Sequence, residues 1–140
     1  MPLVDHTSSL RSIGDDELMT TSPAADVRGR KVLDTAGQDI GHVDDLLVDD
    51  REHKVRFLRV AAGGFLGLGE TRFLIPVDAI TKVDHEAVHV DQTRDHVARG
   101  PCYDPKLIGE SYLNDVYTHF GNSPWWGTGY SYPTYPDDQS

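Results

Sequence analysis

The sequence predicts a mainly β fold: a small six-stranded barrel followed by a short C-terminal amphipathic helix, with extended acidic arms. Three observations carry this expectation. Between Val27 and Asp91, short runs rich in Val and Ile alternate with polar turns, at the roughly 8–12-residue spacing of sandwiches and barrels. Further on, Leu113, Val116, Tyr117 and Phe120 recur at helical spacing and Gly121 follows as a stop, which is the pattern of one amphipathic helix. The charge also sits at the ends. The chain carries 13 Lys plus Arg against 23 Asp plus Glu, a net charge of −10. Residues 1–26 hold Arg11 against Asp5, Asp15, Asp16, Glu17 and Asp26, and residues 101–140 hold Lys106 against Asp104, Glu110, Asp115, Asp137 and Asp138.

Taken in order, residues 1–26 read as a polar arm, extended or partly ordered, with at most one turn of helix near Asp15 to Met19. Residues 27–94 form the barrel domain, with strands expected at Lys31–Leu33, Ile40–Val48, Val55–Ala62, Arg72–Val77, Ile80–Asp84 and Val88–Asp91. Gly37 gives the first turn a residue able to take positive φ,. Asp49-Asp50-Arg51-Glu52-His53 and Asp84-His85-Glu86 close two hairpins with polar side chains,. One strand breaks its own alternation. Ile40, Leu46 and Val48 share one parity, while Val43 and Leu47 have the other. A bulge at Asp44-Asp45 restores a single apolar face; a strand buried on both faces is the alternative. Residues 95–140 form an extension in which Arg99-Gly100-Pro101 and Asp104-Pro105 interrupt regular structure,. The helix is expected at about 109–120, and a tail rich in Gly, Pro and aromatics follows it.

Size points to a cover for the barrel. About 70 residues bury only roughly 60% of their extended-chain surface, which leaves stability marginal. Either the helix and the Trp-rich tail fold back over the barrel, or a second copy of the chain supplies the missing apolar contact. The residues expected to make that contact are Phe65, Leu66 and Leu68 in the glycine-rich loop, with Tyr117, Phe120, Trp125, Trp126 and Tyr130 beyond the barrel.

Several chemistries find no support. The acidic balance opposes nucleic-acid binding, which needs a surplus of Lys and Arg on one face; Arg28, Arg30 and Lys31 read as a solvated strand entry,. Gly63-Gly64-Phe65-Leu66-Gly67-Leu68-Gly69-Glu70 is followed by a strand, lacks Gly-Lys-Ser/Thr and places Glu70 where phosphate would lie, so it fails as a phosphate cradle. His85 and His89 stand roughly 13 Å apart if they lie on a strand, too far for one ion. His42, His53, His96 and His119 have no partner at ligand spacing, and the acidic pairs lack a calcium-loop pattern,. Cys102 beside His96 lacks a third orienting group and reads as an ordinary thiol,. No metal, cofactor or small-molecule substrate is expected, and no catalysis. With one cysteine, no apolar run of spanning length and no secretory leader pattern, the expected compartment is the cytoplasm,.

The run Val27-Arg28-Gly29-Arg30-Lys31-Val32-Leu33-Asp34, then Gly37 and Ile40-Gly41-His42-Val43-Asp44-Asp45-Leu46-Leu47-Val48-Asp49, resembles a PRC-barrel domain. Val55-Arg56-Phe57-Leu58-Arg59-Val60, the glycine-rich segment and Phe73-Leu74-Ile75-Pro76-Val77-Asp78-Ala79-Ile80 continue the likeness over about 27–91. That family takes its name from the cytoplasmic domain of the photosynthetic reaction-centre H subunit, and a similar barrel occurs in a ribosome-maturation factor. The resemblance implies a small barrel that docks on a larger assembly, and it brings no catalytic residues. The tail from Tyr117 to Tyr130 is similar to the ends of free-standing bacterial members. The expected function is therefore a non-catalytic interaction module that forms homo-oligomers or docks on a protein partner. A reaction-centre H-like accessory to light-driven electron transfer is the first alternative. A small-ligand binder or enzyme is the second.

Overall fold

The computed structural model describes residues 10–13, 26–52, 54–62, 71–104, 106 and 109–133. Seven strands, β1 (Leu10–Ser12), β2 (Lys31–Leu33), β3 (Asp39–Asp49), β4 (Lys54–Ala62), β5 (Thr71–Pro76), β6 (Ile80–Val83) and β7 (Ala87–Val90), build one sheet. Two helices follow, α1 (Arg94–Ala98) and α2 (Glu110–Phe120). The six barrel strands lie where alternation places them, to within a residue or so at each end. The expected helical turn at Asp15 to Met19 and the loop holding Phe65, Leu66 and Leu68 lie outside the described residues.

The path through the sheet is β5-β4-β3-β2-β7-β6. All pairings along it are antiparallel except β2 with β7. Its two end strands are consecutive in the chain and are joined by a single 3-10 turn, Val77–Ala79. That short corner obliges the sheet to curl, producing a half-barrel around a continuous apolar core. Val32, Leu46, Leu58, Val60, Ile75 and Val88 are fully buried in it.

β3 is the spine. β4 runs along one edge of it, while the other edge is shared between β2, opposite Asp39 to His42, and β1, opposite Leu47 to Asp49. β1 is an element that the polar composition of the N-terminal arm did not announce. The expected bulge is present, because Val43 pairs with Val60 and Asp45 with Arg59, leaving Asp44 as the extra residue. The alternative holds as well: Leu46, Leu47, Val48 and Asp49 are all buried, so the second half of β3 is covered on both faces.

Polar side chains fix the turns. Asp34 Oδ1 accepts from the amides of Ala36 and Gln38, both at 2.8 Å, and Oδ2 accepts from the Arg94 amide at 2.9 Å. Burial pushes this carboxyl up, but the three amides outweigh it and hold the group below the usual aspartate range,. One side chain thus ties the β2–β3 turn to the first residue of α1. Asp84 Oδ1 does similar service between β6 and β7, accepting from Glu86 and Ala87.

α1 was not expected, since a five-residue helix carries almost no periodic signal. Its cap is conventional: Thr93 accepts from the His96 amide,. α2 begins within a residue of its expected start. It ends in a Schellman motif, with Gly121 at φ 74°, Gly121 N donating to Thr118 O and Asn122 N to Tyr117 O,. The two helices are joined by histidines 23 residues apart. The His96 and His119 rings stack at 3.9 Å, His96 Nε2 meets the His119 carbonyl at 2.7 Å, and His119 Nε2 meets the His96 carbonyl at 2.6 Å.

Gly41 lies where β3 passes tightly against β4. It has φ 156°, and a Cβ there would stand 2.2 Å from the Ala61 carbonyl oxygen. Gly41→Ala is therefore expected to force backbone movement and lower stability by about 1–3 kcal/mol. Urea unfolding checks this, and an unchanged midpoint would contradict the approach.

Candidate functional site

The site is built on a second break in register. Leu47 pairs with Phe57 and Val48 with Val55, so Arg56 is the extra residue on β4. A bulge re-aims its side chain out of the ladder, and here it delivers a guanidinium into the protein. Arg56 is 1% exposed. A buried charge is tolerated only when paired and hydrogen-bonded. Its Nη2 donates to Asp49 Oδ2 at 3.2 Å and to Glu52 Oε1. Asp49 is itself buried and also caps the β3–β4 turn by accepting from the Arg51 amide.

The chain beyond α2 covers this guanidinium. Residues 122–133 fold back as a strap whose turns are made by Gly127 N donating to Pro124 O and by Gly129 at φ 78°. Three rings of the strap surround Arg56, with Cζ 5.0 Å from the centroid of Trp125, 5.5 Å from Tyr132 and 6.0 Å from Tyr130. Lys54 Nζ is a second cation over Tyr132, 4.6 Å from its ring centroid. Such contacts contribute on the order of 2 kcal/mol each when desolvated, less when wet. Two hydroxyls anchor the strap: Tyr130 donates to Asp78 Oδ2 at 2.8 Å, and Tyr132 donates to the Val55 carbonyl at 2.9 Å.

Aromatic packing continues inward. Phe57 meets Tyr117 at 5.2 Å and Trp125 at 6.3 Å, while Trp126 stands edge-on to both Trp125 and Tyr117. Burial lifts the phenols of Tyr117 and Tyr130 above the ordinary tyrosine value, and that of Tyr132 to about 12. Asp78 is shifted upward as well, because its desolvation outweighs the Tyr130 hydroxyl and the Arg56 charge,.

Of the residues singled out from sequence, Tyr117, Trp125, Trp126 and Tyr130 come together here. Phe120 does not: it faces α1, against the His96 and His119 rings. Tyr117 is 1% exposed and Phe120 6%, so neither offers surface while α2 is docked. Phe65, Leu66 and Leu68 lie outside the described residues. Arg56, Asp78 and Tyr132 were missed. The one available signal was an arginine set directly between the apolar Val55 and Phe57.

His96 and His119, which showed no ligand spacing, do meet, but the Nε2 of each is taken by a backbone carbonyl. Among the described residues no group of three His, Cys, Asp or Glu side chains is placed to hold a metal. Cys102 is exposed and pairs through its backbone with Phe73 on β5. A concavity lined by Gly29, Lys31, Asp39, Ile40, Gly41, His42 and Ala61 is open, and its ionisable groups are all exposed.

Two outcomes are expected. Arg56→Ala breaks the buried ion pair with Asp49 and should cost about 3–5 kcal/mol,, read by urea unfolding. Asp78 binds its proton more tightly folded than unfolded, so its contribution is full below the usual aspartate range and is lost as pH rises through the raised folded value,. The stability of Asp78→Asn relative to the parent should therefore grow as pH rises across that window. Parallel pH profiles for the two proteins would contradict this.

The half-barrel, the bulges in β3 and β4 and the covering strap can be set beside known proteins. No curated protein matches the sequence. No helix among the described residues is long and apolar enough to cross a membrane. A family model for the PRC-barrel domain matches residues 19–97, more than half of the chain and all of β2 through β7. With the curled sheet agreeing with that match, the chain belongs to the PRC-barrel domain family.

Proposed function

We propose that this protein is a non-catalytic assembly module that docks on protein through its aromatic strap. The observation that carries this reading is the composition of the strap where it crosses β4. Trp125, Trp126, Tyr130 and Tyr132 are each only partly buried, so a row of aromatic side chains lies against the sheet with surface to spare. Tryptophan and tyrosine are the residue types that dominate binding energy in protein interfaces. Barrels of this family commonly serve in protein interactions, which supports the same reading. The net charge of −10 favours a partner with a basic rim,.

The partner is a larger complex or a second copy of the chain. The exposed thiol of Cys102 suits a reducing compartment,, and the cytoplasm is the setting we propose.

The test pairs affinity capture with a folding control. The tagged protein is expected to retain the same protein partner reproducibly from its own cell extract, or to self-associate by light scattering. Replacing Trp125 and Trp126 with alanine should weaken either contact by at least about tenfold, while the β-sheet circular dichroism persists. Unaltered retention and self-association in that double variant would remove the strap from the interface.

A further inference from the structure

Resting on the assembly reading, we propose that the strap is an exchangeable ligand: residues 122–133 of one copy dock over Arg56 of a second copy, reciprocally, to form a strap-exchanged dimer.

Three observations carry this. The first is how the strap is attached. It joins no strand ladder among the described residues, and its hold includes the rings around Arg56, Trp125 against Phe57, Trp126 against Tyr117, Lys54 over Tyr132, the Tyr130 hydroxyl on Asp78 and the Tyr132 hydroxyl on the Val55 carbonyl. Where it begins, the amides of Gly121 and Asn122 close α2 rather than bonding to the barrel. Every strap contact can therefore be made unchanged with the same groups on another chain, which is the condition for exchange at little cost in contacts.

The second is the demand of the floor. Arg56 is 1% exposed and Phe57 fully buried with the strap in place. An opened strap leaves a guanidinium and an aromatic ring in need of the same cover. Two opened chains satisfy both floors with both straps, so the closed two-fold dimer is complete where a single open chain is not.

The third is charge. Two copies each carrying −10 repel,, but residues 122–133 contain no Asp, Glu, Lys or Arg. The segment that crosses between copies is thus the neutral one. It brings electron-rich rings onto a floor that presents Lys54 and Arg56. Salt screens the repulsion between the acidic bodies, so dimer should increase from low to physiological ionic strength.

The experiment is complementation between two full-length variants. A strap variant, Trp125→Ala with Tyr132→Ala, keeps a working floor; a floor variant, Arg56→Lys, keeps a working strap. The native chain is expected to show a dimer share that rises with concentration and with salt. Each variant alone should associate at least about tenfold more weakly, and mixing them should restore a one-to-one mixed dimer by light scattering and native mass. A third variant lacking Asn122 and Ser123 gives up the Asn122 amide bond to the Tyr117 carbonyl but keeps every ring and hydroxyl of the strap that meets the barrel; it shortens the reach in its own chain and should be predominantly dimeric. Dimers that persist in both variants alone would show association through another face; exchange then falls while the assembly reading stands. A native chain and a shortened chain that both stay monomeric at every concentration and salt would overturn exchange. If the native chain also retains no protein partner, the assembly reading falls with it.

Discussion

A buried guanidinium governs the arrangement of this protein. Leaving Arg56 in water would cost nothing, yet the bulge in β4 turns it inward, where only pairing and hydrogen bonding make it tolerable,. Asp49 and Glu52 neutralise it from the β3–β4 turn, and the rings of Trp125, Tyr130 and Tyr132 close the remaining side. The strap is therefore more than a tail that happens to pack. Its position is dictated by a cation that needs a face of π electrons as well as carboxylates.

The two bulges along β3 and β4 make an instructive pair. Each inserts one charged residue into an apolar ladder, with opposite results. Asp44 stays near the surface, where Arg59 Nε at 2.8 Å and Arg72 Nε at 2.7 Å share it. Burial raises its carboxyl and the two arginines more than reverse that, leaving it below the usual aspartate range. Asp44 bridges Arg59 on β4 and Arg72 on β5, so this partly buried cluster ties three strands together. Arg56 sits where solvent cannot screen it, and there the same kind of insertion has become the anchor of a whole segment.

What the sequence revealed and what it withheld divide along the range of the interaction. The strands, the turn at Gly37, the bulge at Asp44 and α2 were readable because periodicity, glycine and parity act within a few residues. β1 was not, because three residues of a polar arm become a strand only when the free edge of β3 is there to pair with. The strap site was half readable. The tryptophans and tyrosines advertised a cover for something, but Asp78 is joined to Tyr130 across 52 positions and Val55 to Tyr132 across 77, and no spacing rule spans that distance. The same holds for His96 and His119, whose separation matches no ligand pattern and whose rings nonetheless lie parallel within 4°.

That pair of stacked imidazoles has a mechanical meaning. A five-residue helix is too short to persist by itself, so α1 exists only as long as its neighbours hold both of its ends. Thr93 and Asp34 hold the first, and the crossed His96–His119 bonds hold the last against the closing turn of α2. Undocking α2 thus loosens α1, and loosening α1 strips one of the three amides from Asp34 in the β2–β3 turn. The C-terminal extension is in this way a clasp on the far end of the sheet, and whatever grips or frees it changes the tension at a corner of the barrel that it does not touch.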